Sequence, residues 1–410
     1  KAALKESEQI QKVKTFDVKS ISEVIKEAPI AKIVSTILEY AVKSRASDIH
    51  LEPQEDRVRV RYRIDGILYE RLSLPLGVRE AVISRIKILS GMKIDEHRTP
   101  QDGRFNFKVA EEEVDLRVSV LPTSFGEKIV MRLLRKSGGV PTMSELGIRG
   151  TSLKTLEASI LRPHGIILVC GPTGSGKTTT LYAVLSKINT TRVNILTLED
   201  PVEYQIPGAN QVQINDDVGL TFATGLRAFL RQDPNIILVG EIRDKETTEL
   251  AIQASLTGHL VFSTLHTDSA AGALPRLIDM GSETFLLAST INATMGQRIA
   301  RKICPHCKVD YIPPREIIEE IKKVLGSLMP PDNGATIKLY KGAGCEVCGH
   351  SGFLGRIGIY EVMPVTDAIA KLILERKDSA TIEAKAKEEG MITMKQDGYL
   401  KVLEGTTTID

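Results

Sequence analysis

Gly171-Pro-Thr-Gly-Ser-Gly176-Lys177-Thr178 matches G-x-x-x-x-G-K-[ST] at every fixed position. Its setting completes the pattern, because the apolar run Gly165–Cys170 precedes it and a helix-compatible run begins near Gly176. The residue types follow from phosphate chemistry. Glycines let successive backbone N–H groups curl around phosphate oxygens with no Cβ in the way. The start of a helix adds partial positive charge. Lys177 is placed to reach β- and γ-phosphates, and the Thr178 hydroxyl to ligate Mg²⁺. Gly171, Pro172, Thr173, Gly174, Ser175, Gly176, Lys177, Thr178 and Thr179 are thus the expected nucleotide-binding segment, with ATP and Mg²⁺ as ligands.

A strand–loop–helix of this kind belongs in an α/β sheet. Short apolar runs at Asn194–Leu198, Ile236–Val239 and Leu260–Leu265 alternate with amphipathic helical segments, as a mostly parallel sheet requires. A P-loop also needs a carboxylate on a neighbouring strand. Ile236-Ile-Leu-Val-Gly-Glu241 puts Glu241 at the C-terminal end of a buried strand, beside the phosphates, where most such enzymes use Asp. Leu198-Glu-Asp-Pro-Val-Glu203 sets Glu199, Asp200 and Glu203 close together, and like charges repel unless a cation or water network separates them. Glu199 is the candidate base that orients the attacking water; a solvated acidic turn is the other reading. His259 and His266 flank one apolar strand with Ser263, Thr264 and Thr267. They read either as a strand end that reports on a γ-phosphate or as structural histidines. Arg227 and Arg231 lie one helical turn apart, and Arg104, Arg117 and Arg132 lie on or near strands of the N-terminal part. An arginine supplied by a neighbouring domain or subunit is worth ~10³–10⁵ in rate where essential; an ordinary surface salt bridge is the alternative.

Working outward, residues 1–26 read as a polar linker or tail. Residues 27–137 read as an α+β unit: a helix from Ala28 to Ser44, a hairpin turning at Asp65-Gly66, a helix over Arg79–Leu89, and strands near 104–109, 113–120 and 128–134. Gly138, Gly139 and Pro141 mark a flexible linker over 138–147. The ATPase domain then runs over 148–362, with a cysteine module at about 299–362, and 363–410 is helical without a motif. Cys304/Cys307 and Cys345/Cys348 form two C-x-x-C pairs, a four-thiolate set for a closed, structural Zn²⁺ site. Cys170 reads as a small core residue.

The 410 residues are 42% hydrophobic and 26% charged, which excludes a disordered polyelectrolyte. Lys+Arg 54 against Asp+Glu 52 leaves +2, so a strongly basic nucleic-acid protein is not the default. No apolar run approaches the ~20 residues of a membrane span, and no charged-then-apolar leader opens the chain. A start at Lys1 rather than Met predicts a fragment of a longer protein.

The set Gly171–Thr178, Leu198–Tyr204, Gly240-Glu-Ile-Arg-Asp244 and Ser263-Thr-Leu-His-Thr267, with Arg231-Gln-Asp-Pro234 and Ala46-Ser-Asp-Ile-His50, resembles the type II secretion and type IV pilus assembly ATPase family over about residues 28–362. The resemblance implies a PAS-like N-terminal domain joined flexibly to a RecA-like P-loop domain that carries the zinc-binding insertion and a helical C-terminus. It implies a homo-hexameric cytoplasmic ATPase, peripheral at the inner-membrane face, that powers a pilus or secretion pseudopilus through an inner-membrane platform protein. It further implies that Lys177, Thr178 and Glu241 bind nucleotide and Mg²⁺, that Glu199 is the base, that His259 and His266 lie at the site, and that Arg104 and Arg117 approach the phosphates. Retraction motors share the core but lack the zinc module, so the cysteine pairs lean towards the assembly or secretion branch. The competing reading is a RecA-like nucleic-acid or conjugative DNA-transfer motor. A balance of +2 gives little attraction for a phosphate backbone, and no direct nucleic-acid contact is expected.

Overall fold

A computed structural model describes residues 29–135, 139–330 and 337–409. The expected tail 1–26 and Gly138 of the expected linker lie outside them. The chain divides into two units, one ending at Gly139 and the other running from Val140.

In the first unit, α1 (Ile30–Lys43) buries Ile33, Val34, Ile37, Leu38 and Ala41, the stripe its helical spacing predicts. Pro29 caps it from outside the first turn. Strands β1 (Asp48–Pro53), β2 (Arg57–Ile64) and β3 (Ile67–Pro75) lead to α2 (Arg79–Leu89), followed by β4 (Gln101–Val109), β5 (Glu112–Thr123) and β6 (Gly126–Arg135). They form one antiparallel sheet in the order β3-β2-β1-β6-β5-β4. Asp65 and Gly66 turn the β2–β3 hairpin with φ of +49° and +91°, the mirror-image turn that matches strand twist. Val58, Val60 and Tyr62 enter the core with Ile49, Leu51, Ile129 and Met131. The alternate residues of β2, Arg57, Arg59, Arg61 and Arg63, stay part-exposed on the other face.

The second unit opens with α3 (Gly150–Ile160), then β7 (Gly165–Cys170), α4 (Lys177–Ile188), β8 (Ile195–Glu199), β9 (Asn210–Gln213), α5 (Phe222–Phe229), β10 (Ile236–Val239), α6 (Lys245–Leu256) and β11 (Leu260–Leu265). Helices α7 (Ala273–Asp279) and α8 (Thr284–Thr290) precede the long β12 (Ile291–Ile303). After an excursion through β13 (Lys308–Tyr311), α9 (Arg315–Leu325) and β14 (Leu339–Gly342), the chain returns as β15 (Phe353–Pro364) and ends in α10 (Asp367–Leu374), α11 (Ser379–Glu388) and α12 (Met394–Leu403). The sheet order is β15-β12-β7-β11-β10-β8-β9. All neighbours run parallel except β15, which is antiparallel to β12. Every residue of β7, β8, β10 and β11 is buried, as strands covered on both faces require. Leu156 of α3 and Leu181 and Leu185 of α4 pack on one face with Val169 and Leu238. Ala251, Leu274, Leu287 and Ile369 pack on the other with Leu168, Leu198 and Val239.

Two expectations change. The strand that ends at Glu241 is not the neighbour of the P-loop strand, because β11 runs between β7 and β10. The cysteine module is narrower than 299–362, because both flanking strands belong to the main sheet. β12 runs unbroken from the buried Ile291–Gln297 to Ile303, and β15 returns beside it from Phe353. Within the excursion, α9 was not anticipated; it packs Ile321 and Leu325 against Val402 of α12.

Candidate active site

Parallel strands deliver their C-terminal ends to one edge of the sheet, where β7 passes into the P-loop. A Cβ on Gly171 would lie 2.5 Å from Ser175 Oγ and 2.7 Å from the Gln297 carbonyl, and one on Gly176 (φ +84°) 3.0 Å from Gln297 Nε2. Only glycine fits, so the loop is lined by backbone. Lys177, first residue of α4, donates to the carbonyls of Gly171 (2.8 Å) and Pro172 (3.2 Å) and so folds over the loop. Burial lowers its pKa; Glu241 pulls it up and Arg298 pushes it further down. Ser175 Oγ is buried without a protein partner. A backbone cradle, an orphaned hydroxyl and a lysine at a helix N-terminus fit a bound polyphosphate, and Thr178, part-buried in the same first turn, fits the Mg²⁺ role.

Glu241 follows directly from the end of β10. Gly240 donates to the Leu198 carbonyl (2.7 Å) and accepts from Thr264 Oγ1 (2.7 Å), which fixes the strand end between β8 and β11. The Glu241 side chain is 15% exposed, with His266 Nε2 3.3 Å from Oε2. Arg243 pairs with Oε1, and that bond raises the Arg243 pKa. The structure therefore brings Lys177, Glu241 and His266 to one edge.

Glu199 is held differently. Its Oε1 accepts from Thr197 Oγ1 (2.5 Å) and Gln211 Nε2 (3.2 Å), and its Oε2 from the Tyr182 hydroxyl. The residue is 3% exposed. Burial first, and the Glu199 carboxylate second, raise the Tyr182 pKa. Both carboxylate oxygens are held by uncharged donors, which fix the end of β8 on α4. Asp200 is exposed and Glu203 part-buried, with the Glu203 N–H 3.4 Å from the Tyr182 hydroxyl that holds Glu199.

Other expected residues lie elsewhere. His259 sits at the start of β11, at the opposite edge from His266, with Nδ1 2.8 Å from the Ala254 carbonyl and 3.0 Å from Thr257 Oγ1. Strand direction separates the two histidines, which overturns their placement at one site. Arg227 pairs with Glu246 of α6, and Arg231, just past α5, donates to the Arg227 carbonyl (3.0 Å). In the first unit, Arg104, Arg117, Arg132, Asp48 and Arg63 occupy one cross-strand row. Asp48 takes Arg132 Nε at 3.2 Å and lies 3.5 Å from Arg63 Nε. Arginines directly opposite one another disfavour the sheet unless an anion offsets them.

Two residues escaped sequence reasoning. Gly296 of β12 is the register partner of Cys170, so Gln297 and Arg298 run beside the P-loop. Gln297 Nε2 donates to the Ser175 carbonyl at 2.5 Å. Arg298 donates to Asp268 Oδ1 at 3.0 Å. Neither falls in a motif; the only signal is that both follow the buried run Ile291–Gly296 of β12. Cys170 is fully buried, and burial pushes its thiol up to about 12, as a core residue.

The four paired cysteines converge. Their sulfurs all lie within 4.8 Å of one another, with Cys304–Cys345 and Cys307–Cys348 at 3.9 Å and Cys345–Cys348 at 3.7 Å. Zn–S bonds of about 2.3 Å in a tetrahedron set sulfurs about 3.8 Å apart. Backbone N–H groups of Gly344, Cys345 and Gly352 point at Cys307 or Cys348 sulfur (3.2–3.3 Å), as thiolates require. The donor set fits Zn²⁺. Among the described residues, no helix is long and apolar enough to cross a membrane.

A sequence profile of the family described as "Type II/IV secretion system protein" matches residues 23–410. The type IV pilus assembly ATPase PilB of Myxococcus xanthus is 46% identical over 403 residues, 98% of this chain and 70% of the relative. Type II secretion system protein E of Xanthomonas campestris pv. campestris is 47% identical over 396 residues, 97% and 69%. Among solved structures, the pilus retraction motor PilT with bound ADP superposes with a TM-score of 0.61 at 29% identity, over 91% of this chain and 94% of that one. The Legionella pneumophila ATPase DotB gives 0.67 at 21% identity over 94% and 96%, a likeness of fold.

Proposed function

Because the chain belongs to the type II/IV secretion system protein family, it is an ATPase of the secretion and pilus-assembly kind, and we propose that it works as a hexameric motor driving a pilus or pseudopilus through an inner-membrane platform protein. The relatives that match nearly the whole chain favour this over a DNA-transfer motor. The first unit is then a PAS-like domain and the second a RecA-like one, the latter consistent with its P-loop strand lying inside a parallel sheet. The assembly is peripheral at the cytoplasmic face of the inner membrane.

One observation carries the reading: Lys177 folds over the backbone cradle of the P-loop at the same end of the sheet where β10 delivers Glu241. The loop N–H groups and Lys177 hold the β- and γ-phosphates of ATP. Thr178 and Glu241 would hold Mg²⁺, which neutralises charge on those phosphates when bound. Glu241, beside His266 at the P-loop end of the sheet, is also the carboxylate that orients the attacking water. Glu199 keeps β8 and α4 in register beneath it. Arg104 and Arg117 supply positive charge to the phosphates of this chain or of a neighbour. Four thiolates holding Zn²⁺ close the cysteine excursion and take no part in hydrolysis.

The test is MgATP hydrolysis by the purified chain and by Lys177→Ala. Loss of turnover with an unchanged circular dichroism spectrum is expected. Near-wild-type hydrolysis by the folded variant overturns the P-loop reading.

A further inference from the structure

We propose that Arg298 is a further nucleotide-binding residue of the site, and that Asp268 competes with nucleotide phosphate for its guanidinium. The proposal rests on the reading of Gly171–Thr178 as a nucleotide site and extends that site to the strand on its other side.

Placement comes from register. Gly296 of β12 pairs with Cys170, the last residue before the P-loop. Gln297 supports the loop from below through the Ser175 carbonyl, and Arg298 is the next residue. Its Nη1 donates to the Gln297 carbonyl at 3.0 Å, which anchors the guanidinium midway along β12, beside the P-loop. Its Nη2 reaches the Asp268 carbonyl at 3.3 Å and Asp268 Oδ1 at 3.0 Å. Arg298 is also close enough to Lys177 to push down the lysine's pKa. Two cations beside one backbone cradle repel each other until an anion lies between them.

The tether to Asp268 is the kind that exchanges. The Asp268 side chain is 100% exposed and that of Arg298 36% exposed, and ion pairs this open to water hold weakly. A phosphate oxygen carries more charge and matches the guanidinium fork, so it makes the stronger contact. Asp268 is two residues from His266, which pairs with Glu241. One short segment therefore touches both the carboxylate on β10 and the arginine on β12, and drawing Arg298 away from Asp268 frees the end of the segment that steadies Glu241.

Equilibrium binding of a fluorescent, non-hydrolysable ATP analogue to the full chain decides the matter. Arg298→Ala should weaken binding by about tenfold, the size of one charge-assisted contact. Asp268→Asn should tighten it by about threefold, since it removes a weak competitor. The same change in the Arg298→Ala background should do nothing. A purely structural clamp predicts the opposite sign for Asp268→Asn, because breaking it loosens the site; weaker or unchanged binding by that variant overturns the proposal. If Arg298→Ala does not fold, the surface change Asp268→Asn decides alone. A wild-type chain that binds no nucleotide overturns the P-loop reading itself. A wild-type chain that binds well, with both single variants at its affinity, overturns only the role of Arg298.

Discussion

Glu52 on β1 is the anion at the centre of a cationic patch in the first unit, and replacing it with Gln tests the electrostatics there. Its Oε2 accepts from Arg59 Nε (3.1 Å) and Arg61 Nε (2.9 Å), its Oε1 accepts from Arg61 Nη2 (2.7 Å), and Lys128 Nζ lies 3.3 Å from Oε1. Burial pushes its carboxyl up, but hydrogen bonds from Arg61, Arg59 and Lys128 outweigh burial and pull it from 4.5 down to about 2. At about 1.4 kcal/mol per pKa unit, that gap caps the contribution near 3.5 kcal/mol. The side chains of Arg61, Arg59 and Lys128 are 27%, 31% and 34% exposed, so screening leaves about 2 kcal/mol. The folded value lies below the unfolded one, so this stability is fully present above about pH 4.5 and is lost as pH falls through about 2. Hydrogen exchange of β1 and β2 amides in the full chain is the assay. Near neutral pH, Glu52→Gln should speed opening about 30-fold relative to wild type, the factor for about 2 kcal/mol. By pH 3 the ratio in free-energy terms should fall below about half. Equal exchange at neutral pH, or a difference that persists on acidification, would refute the reasoning.

Glu241→Gln should cut turnover by about 100-fold or more, while Glu199→Gln should mainly destabilise its buried hydrogen-bond network by about 1–3 kcal/mol; a nucleotide-bound structure with the attacking water on Glu199 would restore that residue as base. Elemental analysis should find one zinc per chain, and Cys304→Ser should lose it and render the cysteine excursion protease-sensitive; a metal-free protein with a stable excursion rules the site out. Arg104→Ala and Arg117→Ala should each lower turnover by roughly tenfold or more in the assembled protein, with normal rates marking them as surface residues.

What was legible in the sequence was local. Asp65-Gly66 encodes its own turn, Ile33 to Ala41 its own helix face, and Gly171–Thr178 a loop whose chemistry admits few other residues. Strand order is not local: nothing near Glu241 says that β11 lies between its strand and β7. His259 and His266 look equivalent in one dimension, yet a six-residue strand carries them to opposite edges. Glu199 looked available because its acidic neighbours are adjacent in sequence, whereas Tyr182, Thr197 and Gln211, which occupy it, come from three elements. Arg298 matched no motif and became visible only through the pairing of Gly296 with Cys170.

The excursion between β12 and β15 has a mechanical meaning. Those strands pair antiparallel from Ala293–Pro364 to Ile303–Phe353, so the cysteine segment is an enlarged hairpin loop. Loop-closure entropy grows only by about 0.6 kcal/mol per doubling of length. Its length is therefore free to vary outside α9, which packs on Val402 of α12. Its root is not, because the Cys304 N–H donates to the Gly352 carbonyl at 2.9 Å, beside the last rungs of the pair. From Ile303 the strand runs about 20 Å back to Gln297, which props the P-loop. A load applied at the tip thus travels along one continuous strand to the floor of the phosphate cradle.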